Sequence, residues 1–141
     1  MKTLFLIPFA LLPFYAYALE PEQIIEGFFD NLDAGSYSRA IDYFFTGNKR
    51  MQGEQLQAMK TQLSNHLGAI GSFHEYNLIK HDKHTQYFHT YTFLIRYEQE
   101  LVFAQLHFYK PRNRWVGYNL LIHGDENKIS EYFYLQKLAK P

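Results

Sequence analysis

The chain has 141 residues, of which 20% are charged and 47% hydrophobic, and its 14 basic residues balance its 14 acidic residues. This length suits one domain with a single core, and the balanced charge without a basic stripe argues against a nucleic-acid-binding protein. The chain has no cysteine, which excludes disulfides and an anchor attached through a lipid-modified cysteine.

Residues 1–18 have the pattern of a secretory signal peptide. One basic residue precedes an apolar run over residues 4–14, and an Ala-x-Ala cleavage site follows that run. The run is short for a membrane span, and two prolines interrupt it. We therefore expect cleavage before Leu19, one mature domain over residues 19–141, and no stable membrane anchor. For a domain without disulfides, such export indicates a bacterial periplasmic or secreted protein.

Three amphipathic helices are predicted ahead of residue 70. Pro21 suits the first position of a helix, Ser36 can cap the second helix, and the third begins near Gly53. Each has an apolar stripe at helical spacing, which needs a second layer of structure to bury it. The stripes are Ile24, Ile25, Phe28, Phe29 and Leu32; Tyr37, Ala40, Ile41, Phe44 and Phe45; and Leu56, Met59, Leu63 and Leu67.

A four-stranded antiparallel meander is predicted to follow the helices. Runs of aromatic and β-branched residues place its strands at residues 73–80, 85–97, 100–110 and 114–123, with residues 81–84 as the first turn. The strands alternate in polarity, so each has one side for the core and one for the outside.

The second and third hairpins have mutually consistent registers. A two-residue loop pairs Phe93 with Ala104, and a three-residue loop beginning at Pro111 pairs Phe108 with Val116. A slip of one residue would exchange the faces of the sheet, so this agreement assigns an inner and an outer face. The inner face is predicted to hold Tyr87, His89, Tyr91, Phe93, Ile95, Val102, Ala104, Leu106, Phe108, Val116, Tyr118, Leu120 and Ile122.

Two structures are compatible with the residues that follow the sheet. Asp125 can cap a short helix with Ile129 and Phe133 directed inward. Residues 131–135 could instead form a further strand. We expect the helix.

The order of three helices and a four-stranded meander resembles the nuclear-transport-factor-2-like, ketosteroid-isomerase-like superfamily. The chain is also similar to small exported bacterial families of unknown function within it, through Leu67-Gly68, Phe73, Phe108 and Val116-Gly117. The resemblance covers most of the mature chain. It implies an α+β, cystatin-like fold in which a bent sheet wraps the helices into a cone with a pocket at its wide end. Its motifs are generic and support the fold far more than a function.

The resemblance also implies where catalytic groups would lie. Enzymes of this superfamily often place an acid, a base or a phenol in the cone, but none of the inner strand positions here is Asp or Glu. His89 could act as a general base, with Tyr91 or Tyr118 donating to an oxyanion. A histidine that a tyrosine hydroxyl satisfies at the sheet edge is the simpler interpretation, because no third group orients His89. The pocket candidates are Tyr37, Tyr43, Tyr87, His89, Tyr91 and Tyr118.

The histidine-rich and basic segments are interpreted as solvated turns. His81-Asp82-Lys83-His84, with His74 or His89 nearby, has side chains that bind metals, but the chain has no thiolate and its seven histidines make chance proximity common. We therefore expect no metal and no cofactor. Lys49-Arg50 and residues 110–114 are short basic clusters that could contact an anionic ligand.

The outer face of the predicted sheet carries a wide apolar patch. A patch of this kind is covered by another part of the chain or by a partner. A homodimer through this face and a C-terminal segment that folds back over it are both compatible with the sequence. The residues of the patch are Phe88, Leu94, Phe103, Tyr109, Trp115 and Leu121.

Two functions are compatible with this pattern. The first is a non-enzymatic, exported binding or interaction domain, with a small apolar ligand in the cone. The second is an isomerase, dehydratase or hydrolase that works through His89 and the tyrosines. The lack of an inward carboxylate favours the binding domain, and an open cone would favour the enzyme.

Overall fold

A computed structural model describes residues 18–140, so most of the predicted signal peptide lies outside the described residues. Three helices precede a four-stranded sheet and one helix follows it, which confirms the predicted α+β class. The elements are α1 (Pro21–Asp33), α2 (Tyr37–Phe44), α3 (Gly53–Gly68), β1 (Phe73–Thr85), β2 (Phe88–Tyr97), β3 (Leu101–Tyr109), β4 (Val116–His123) and α4 (Glu126–Leu138). Within this part of the chain, no helix is both long and apolar enough to cross a membrane.

The first helices form where capping and periodicity predicted them. In α1, Pro21 takes the first turn, and Glu20 and Gln23 form a reciprocal capping box that satisfies free backbone N–H groups. Ser36 precedes α2, but its side chain makes no capping hydrogen bond. The apolar stripes of α1 and α2 are buried except for the partly buried Tyr37, whereas in α3 only Leu63 and Leu67 are buried.

The sheet is antiparallel with strand order β1-β2-β3-β4. The predicted register of β2 and β3 is confirmed, with Phe93 opposite Ala104 and His89 opposite Phe108. The predicted turn at residues 81–84 is wrong, because β1 continues to Thr85 and the turn falls at residues 86–87. This polar segment can stay extended because β1 is an edge strand, where one side of each residue meets solvent.

The predicted register of β3 and β4 is wrong at two points, because Val116 lies opposite Tyr109 instead of Phe108 and a bulge follows in β4. Asn119 lies opposite His107, but Gly117 lies opposite Phe108, so Tyr118 is the extra residue. The side chain of Tyr118 therefore joins the outer face, with its ring 5.7 Å from that of Tyr109. Gly117 takes the inner position that we assigned to Val116.

The one-residue shift at the start of β4 also changes the place of Trp115. We predicted this residue in the outer patch, but it is only 7% exposed and belongs to the main core cluster. Its ring lies 4.7 Å from that of His89, an inner-face residue. The aromatic corner of the outer face consequently contains Tyr118 in place of Trp115.

Phenylalanines fill the space between the helices and the sheet. Phe28, Phe44 and Phe108 are fully buried and Phe93 is 2% exposed. The ring of Phe44 lies 5.7 Å from that of Phe28 and 5.4 Å from that of Phe108, distances typical of aromatic pairs in a packed core. These four side chains occupy the interior where the resemblance implied a ligand pocket.

Helix α4 covers one part of the outer face. Phe103 is 6% exposed and its ring lies 4.8 Å from that of Tyr132, while Ile129 is also buried. The predicted helix at this position is confirmed, and the alternative strand is wrong. Phe133, which we predicted to point inward, is 37% exposed. The C-terminal segment thus folds back over the Phe103 part of the patch.

Gly117→Ala should destabilise the protein, because a Cβ atom at this position would lie 2.8 Å from Cε1 of Phe44 and still closer to the Phe44 carbonyl oxygen. Overpacking of this kind costs about 1–3 kcal/mol, and a backbone atom cannot move aside as a side chain can. Denaturant unfolding measures the loss. In the matched control Gly68→Ala, the nearest atom is 4.0 Å away, and we expect unchanged or slightly higher stability. Equal stability of the two variants would contradict the bulged register.

Candidate functional site

The predicted pocket residues do not all lie together. Tyr91 is 2% exposed on the inner face, and His89 is half-buried beside it. Tyr87 lies in the β1–β2 turn and is 50% exposed, whereas Tyr118 lies on the outer face and is 42% exposed. Our assignment of these two residues to the inner face was therefore wrong.

The two helical pocket candidates pack against the core. Tyr37 and Tyr43 are partly buried on α2. The Tyr43 ring lies over Gly27, where a Cβ atom would collide with it. Both tyrosines therefore contribute to helix packing, and the Tyr43 hydroxyl donates to the backbone carbonyl oxygen of Gln23 at 3.5 Å.

A polar cluster forms around Tyr91, and we call Glu22, His81, His89 and Tyr91 the Tyr91 cluster. The Tyr91 hydroxyl donates a hydrogen bond to Oε1 of Glu22 at 2.7 Å. The His81 ring stacks on the Tyr91 ring with 3.9 Å between their centres and 17° between their planes. Nε2 of His81 lies 3.3 Å from Nδ1 of His89. The cluster thus joins the first turn of α1 to the edge of the sheet.

Sequence reasoning missed two members of this cluster. We sought carboxylates only on the inward strand positions, whereas Glu22 comes from the first turn of α1. We interpreted His81 as a turn residue, but it is in β1 opposite Tyr91. Only the packing of α1 against β1 brings these residues together.

The cluster holds defined protonation states. Burial raises the pKa of Tyr91 well above its ordinary value, and the hydrogen bond to the Glu22 carboxylate raises it further. Burial alone would raise the pKa of Glu22, but the Tyr91 hydroxyl and the nearby imidazoles lower it below its ordinary value. Burial, His81 and the Lys83 ammonium lower the pKa of His89. At neutral pH the cluster therefore combines a phenol, a carboxylate and a neutral His89 imidazole.

A large cavity lies on the outer face of the sheet, and we call it the outer groove. Its volume is about 1210 Å³. Apolar and aromatic side chains form its floor, and cationic side chains from two distant segments line its rim. The floor residues are Phe88, Tyr109, Val116 and Tyr118, and the rim cations are Lys49, Arg50, Arg112 and Arg114.

The loop after α2 is held against β4, and this contact brings the two basic segments together. Nδ2 of Asn48 donates to the carbonyl oxygen of Gly117 at 2.9 Å, while its Oδ1 accepts from the backbone N–H groups of Arg50 and Met51 at 2.9 and 3.3 Å. Gly47 has a φ of 85°, which allows the sharp turn before Asn48. One side chain therefore orients the loop and ties it to the strand that carries Tyr118.

The outer groove has a strongly positive rim. None of its lining residues is acidic. The four salt bridges found within residues 18–140 involve other side chains than the rim cations. A groove with one sign of charge attracts anions and concentrates them near its walls.

The predicted interface residues separate into three environments. Phe88 and Tyr109 lie in the outer groove. Phe103 lies under α4, while Leu94 is half-buried and Leu121 is 38% exposed. Trp115 is in the core, as described above.

Two histidines support the floor of the groove from below. The Thr90 hydroxyl lies 2.9 Å from Nε2 of His84 and 3.1 Å from Nδ1 of His107. The Phe88 ring stacks near both imidazoles, with centres 5.2 and 6.0 Å away. Burial lowers the pKa of His107, and the neighbouring His84 lowers it further. The floor therefore rests on two imidazoles that are joined through the Thr90 hydroxyl.

Between residues 18 and 140, no group of three or more His, Asp or Glu side chains is arranged to hold a metal ion. A second, smaller cavity of about 320 Å³ lies between α3 and β4, lined by residues including Leu63, His66 and His123. Neither this cavity nor the outer groove is lined by the Tyr91 cluster.

The stability of the fold should decrease when the pH falls from 7.5 to 5.5. His89 and His107 have pKa values below the ordinary value in the folded protein, while both titrate near pH 6.5 when unfolded. Below pH 6.5 the unfolded chain therefore takes up protons that the folded chain does not, which favours unfolding until the pH falls through the folded-state pKa. Urea unfolding at several pH values measures this dependence.

A matched pair of variants tests whether His107 contributes to this pH dependence of the free energy of unfolding. His107→Asn should unfold with a weaker pH dependence than the wild type, because one of the two groups is removed. His74→Gln, at an exposed position on β1, should keep the wild-type dependence. If the free energy of unfolding depended on pH equally in His107→Asn and in the wild type, His107 would not have the role that we give it.

Comparison of this chain with protein-family models, with curated proteins and with solved structures found no match in any of the three. A function for this chain must therefore be argued from the geometry of its own side chains.

Proposed function

We propose that this chain is a non-enzymatic, exported binding domain that takes a small amphipathic anion in the outer groove. The observation that carries the proposal is the convergence of four cations, from residues 49–50 and 112–114, around an aromatic floor without an acidic neighbour. Ligand sites in proteins combine an apolar surface with a few convergent polar groups in this way.

The two parts of the groove select two parts of one ligand. The aromatic floor offers flat apolar surface, and each aromatic side chain can bury about 150–250 Å² against a partner. The guanidinium groups of Arg112 and Arg114 offer paired donors that match the geometry of a carboxylate, sulfate or phosphate. A ligand with an apolar body and an anionic head satisfies both parts at once.

The filled cone supports binding on the outside of the fold. Phe28, Phe44 and Phe108 are fully buried where a ligand would enter the cone. We predicted a small apolar ligand inside the cone. We now propose that the apolar part of the ligand binds in the outer groove instead.

The proposed location and superfamily rest on the sequence. The N-terminal pattern over residues 1–18 supports export to a bacterial periplasm or beyond. The order of three helices, a four-stranded meander and a last helix supports membership of the nuclear-transport-factor-2-like superfamily.

An isomerase, dehydratase or hydrolase is the alternative, and the Tyr91 cluster is the observation that favours it. His89 is a neutral imidazole beside a phenol and a carboxylate, which are the groups that acid–base catalysis requires. Against this, Tyr91 already donates to Glu22, and the phenol is buried. The cluster also lines neither cavity described above.

The groove can be tested with the amphipathic anion 8-anilinonaphthalene-1-sulfonate, whose fluorescence rises in an apolar site. We expect the Arg112→Gln, Arg114→Gln double variant to bind it about tenfold more weakly, because two charge-assisted contacts at an exposed site are removed. Tyr118→Ser should weaken binding as well, because it removes an aromatic ring from the floor of the groove.

The control variant is Lys128→Gln, which removes an exposed cation from α4 and should leave the affinity unchanged. The neutral dye N-phenyl-1-naphthylamine should bind the arginine double variant as well as it binds the wild type. Equal sulfonate affinity in the double variant and the wild type would overturn the proposal.

A homodimer through the outer face remains a proposal, but the structure changes which residues such a dimer could bury and which experiment tests it. A two-fold contact at the groove would bring the four cations of one protomer close to those of the other, which opposes association. A dimer would need to bury the surface around Leu121 and the exposed part of α4 instead.

We expect Trp115→Ser to unfold the protein and not to dissociate a dimer. Trp115 is 7% exposed in the core, and removal of such a ring costs about 3–5 kcal/mol. Light scattering and circular dichroism separate the outcomes. A folded Trp115→Ser monomer, from a dimeric wild type, would contradict the core position of this residue.

A further inference from the structure

The rim cations of the outer groove form two pairs, and each pair is carried by a different connection. Lys49 and Arg50, which we call the loop pair, lie between α2 and α3. Arg112 and Arg114, which we call the turn pair, lie between β3 and β4. All four residues are exposed, and none of the residues that line the groove is acidic. Because like charges repel, this arrangement favours separation of the two pairs.

The two pairs approach the groove from different directions. β4 is an edge strand, and the loop that carries the loop pair packs against that edge. A Cβ atom at Gly47 would lie 3.3 Å from Cγ1 of Val116, and Asn48 donates to the Gly117 carbonyl oxygen at 2.9 Å. The turn pair instead lies beyond the ends of β3 and β4. One pair therefore reaches the groove across the edge of the sheet, and the other reaches it along the direction of the strands.

The aromatic floor of the groove extends over three strands. Phe88 lies opposite Tyr109, which lies opposite Val116. The Tyr118 ring lies 6.1 Å from that of Phe88 and 5.7 Å from that of Tyr109. Neighbouring strands are about 4.8 Å apart, so these side chains cover a width of about 10 Å. Tyr109 is 40% exposed and Tyr118 is 42% exposed, which leaves ring surface for a flat body of two fused rings.

A ligand with a single anionic head engages only half of this rim. One carboxylate has two oxygens, which can accept hydrogen bonds from both members of one cationic pair. The other pair then has no anion beside it. The cavity of about 1210 Å³ also exceeds the volume of about 300–1,000 Å³ that is typical of sites for one small molecule. Charge and size therefore both indicate a ligand with a second anionic group.

We propose that the ligand of the outer groove is a two-headed anion, in which a flat apolar body separates two anionic groups. The loop pair binds one group, the turn pair binds the other, and the aromatic floor supports the body. This inference rests on the proposed function, because it narrows the class of ligand for the same groove. Aromatic dicarboxylates are the simplest molecules with this chemistry.

Three naphthalene carboxylates test the number and the spacing of the anionic groups. Isothermal titration of the wild-type chain at neutral pH compares 2-naphthoate, naphthalene-2,3-dicarboxylate and naphthalene-2,6-dicarboxylate. The 2,6 isomer has its carboxylates at opposite ends, whereas the 2,3 isomer has them side by side. We expect the 2,6 isomer to bind about tenfold more tightly than the 2,3 isomer, because only the 2,6 isomer reaches both pairs. Net charge alone predicts equal affinities for the two isomers.

Variants of the two pairs test which cations bind the second group. The Lys49→Gln, Arg50→Gln double variant should lose the preference for the 2,6 isomer, but it should keep its affinity for 2-naphthoate, which the turn pair binds. The matched control is Lys110→Gln. Lys110 belongs to the same turn as the turn pair, but it does not line the groove, and its ammonium lies 5.6 Å from the centre of the Trp115 ring. This variant should keep the wild-type preference, and far-UV circular dichroism should show that both variants are folded.

The outcomes separate this inference from the proposed function. If 2-naphthoate binds but the two dicarboxylates bind equally, the two-headed ligand is wrong and the proposed function stands. A preference for the 2,6 isomer that survives the loss of the loop pair would also overturn the two-headed ligand. If neither the carboxylates nor 8-anilinonaphthalene-1-sulfonate binds the wild type, both proposals are wrong.

Discussion

The close approach of Gly117 to the backbone of Phe44 is the contact on which the rest of this structure depends. Only a residue without a side chain fits there, because a Cβ atom would meet the Phe44 ring and its carbonyl oxygen. Gly117 must therefore face inward, and its pairing with Phe108 meets this requirement. The bulge at Tyr118 then adds one residue to β4, which returns Leu120 and Ile122 to the inner face opposite Leu106 and Ala104.

Both candidate sites follow from that contact. On the outer face, the bulge turns Tyr118 outward beside Phe88 and Tyr109, and the Gly117 carbonyl holds the Asn48 loop with its cations nearby. On the inner face, the pairing of Val116 with Tyr109 leaves Trp115 directed toward His89. A side chain at position 117 would therefore disturb the floor of the groove and the support of the imidazole pair together.

The two faces of the sheet carry different electrostatics. The Tyr91 cluster pairs a carboxylate with a phenol and a neutral imidazole, so a hydrogen bond from Tyr91 stabilises the negative charge of Glu22. The outer groove gathers cations that no lining carboxylate compensates. The first arrangement stabilises a compact contact between α1 and the sheet, whereas the second is favourable only when an anion is present.

The sequence by itself determined the helices, the meander and the register of β2 with β3, because those features depend on local periodicity and on a short loop. It also identified the basic clusters and the aromatic corner as separate features. It did not predict the register of β4, since Phe44, the residue that Gly117 must face, is distant in the chain. The Tyr91 cluster and the outer groove combine side chains from distant segments, such as Glu22 with Tyr91 and Arg50 with Arg114. Contacts of this kind carry no local sequence signal, so only the packing of the helices and loops against the sheet decided them.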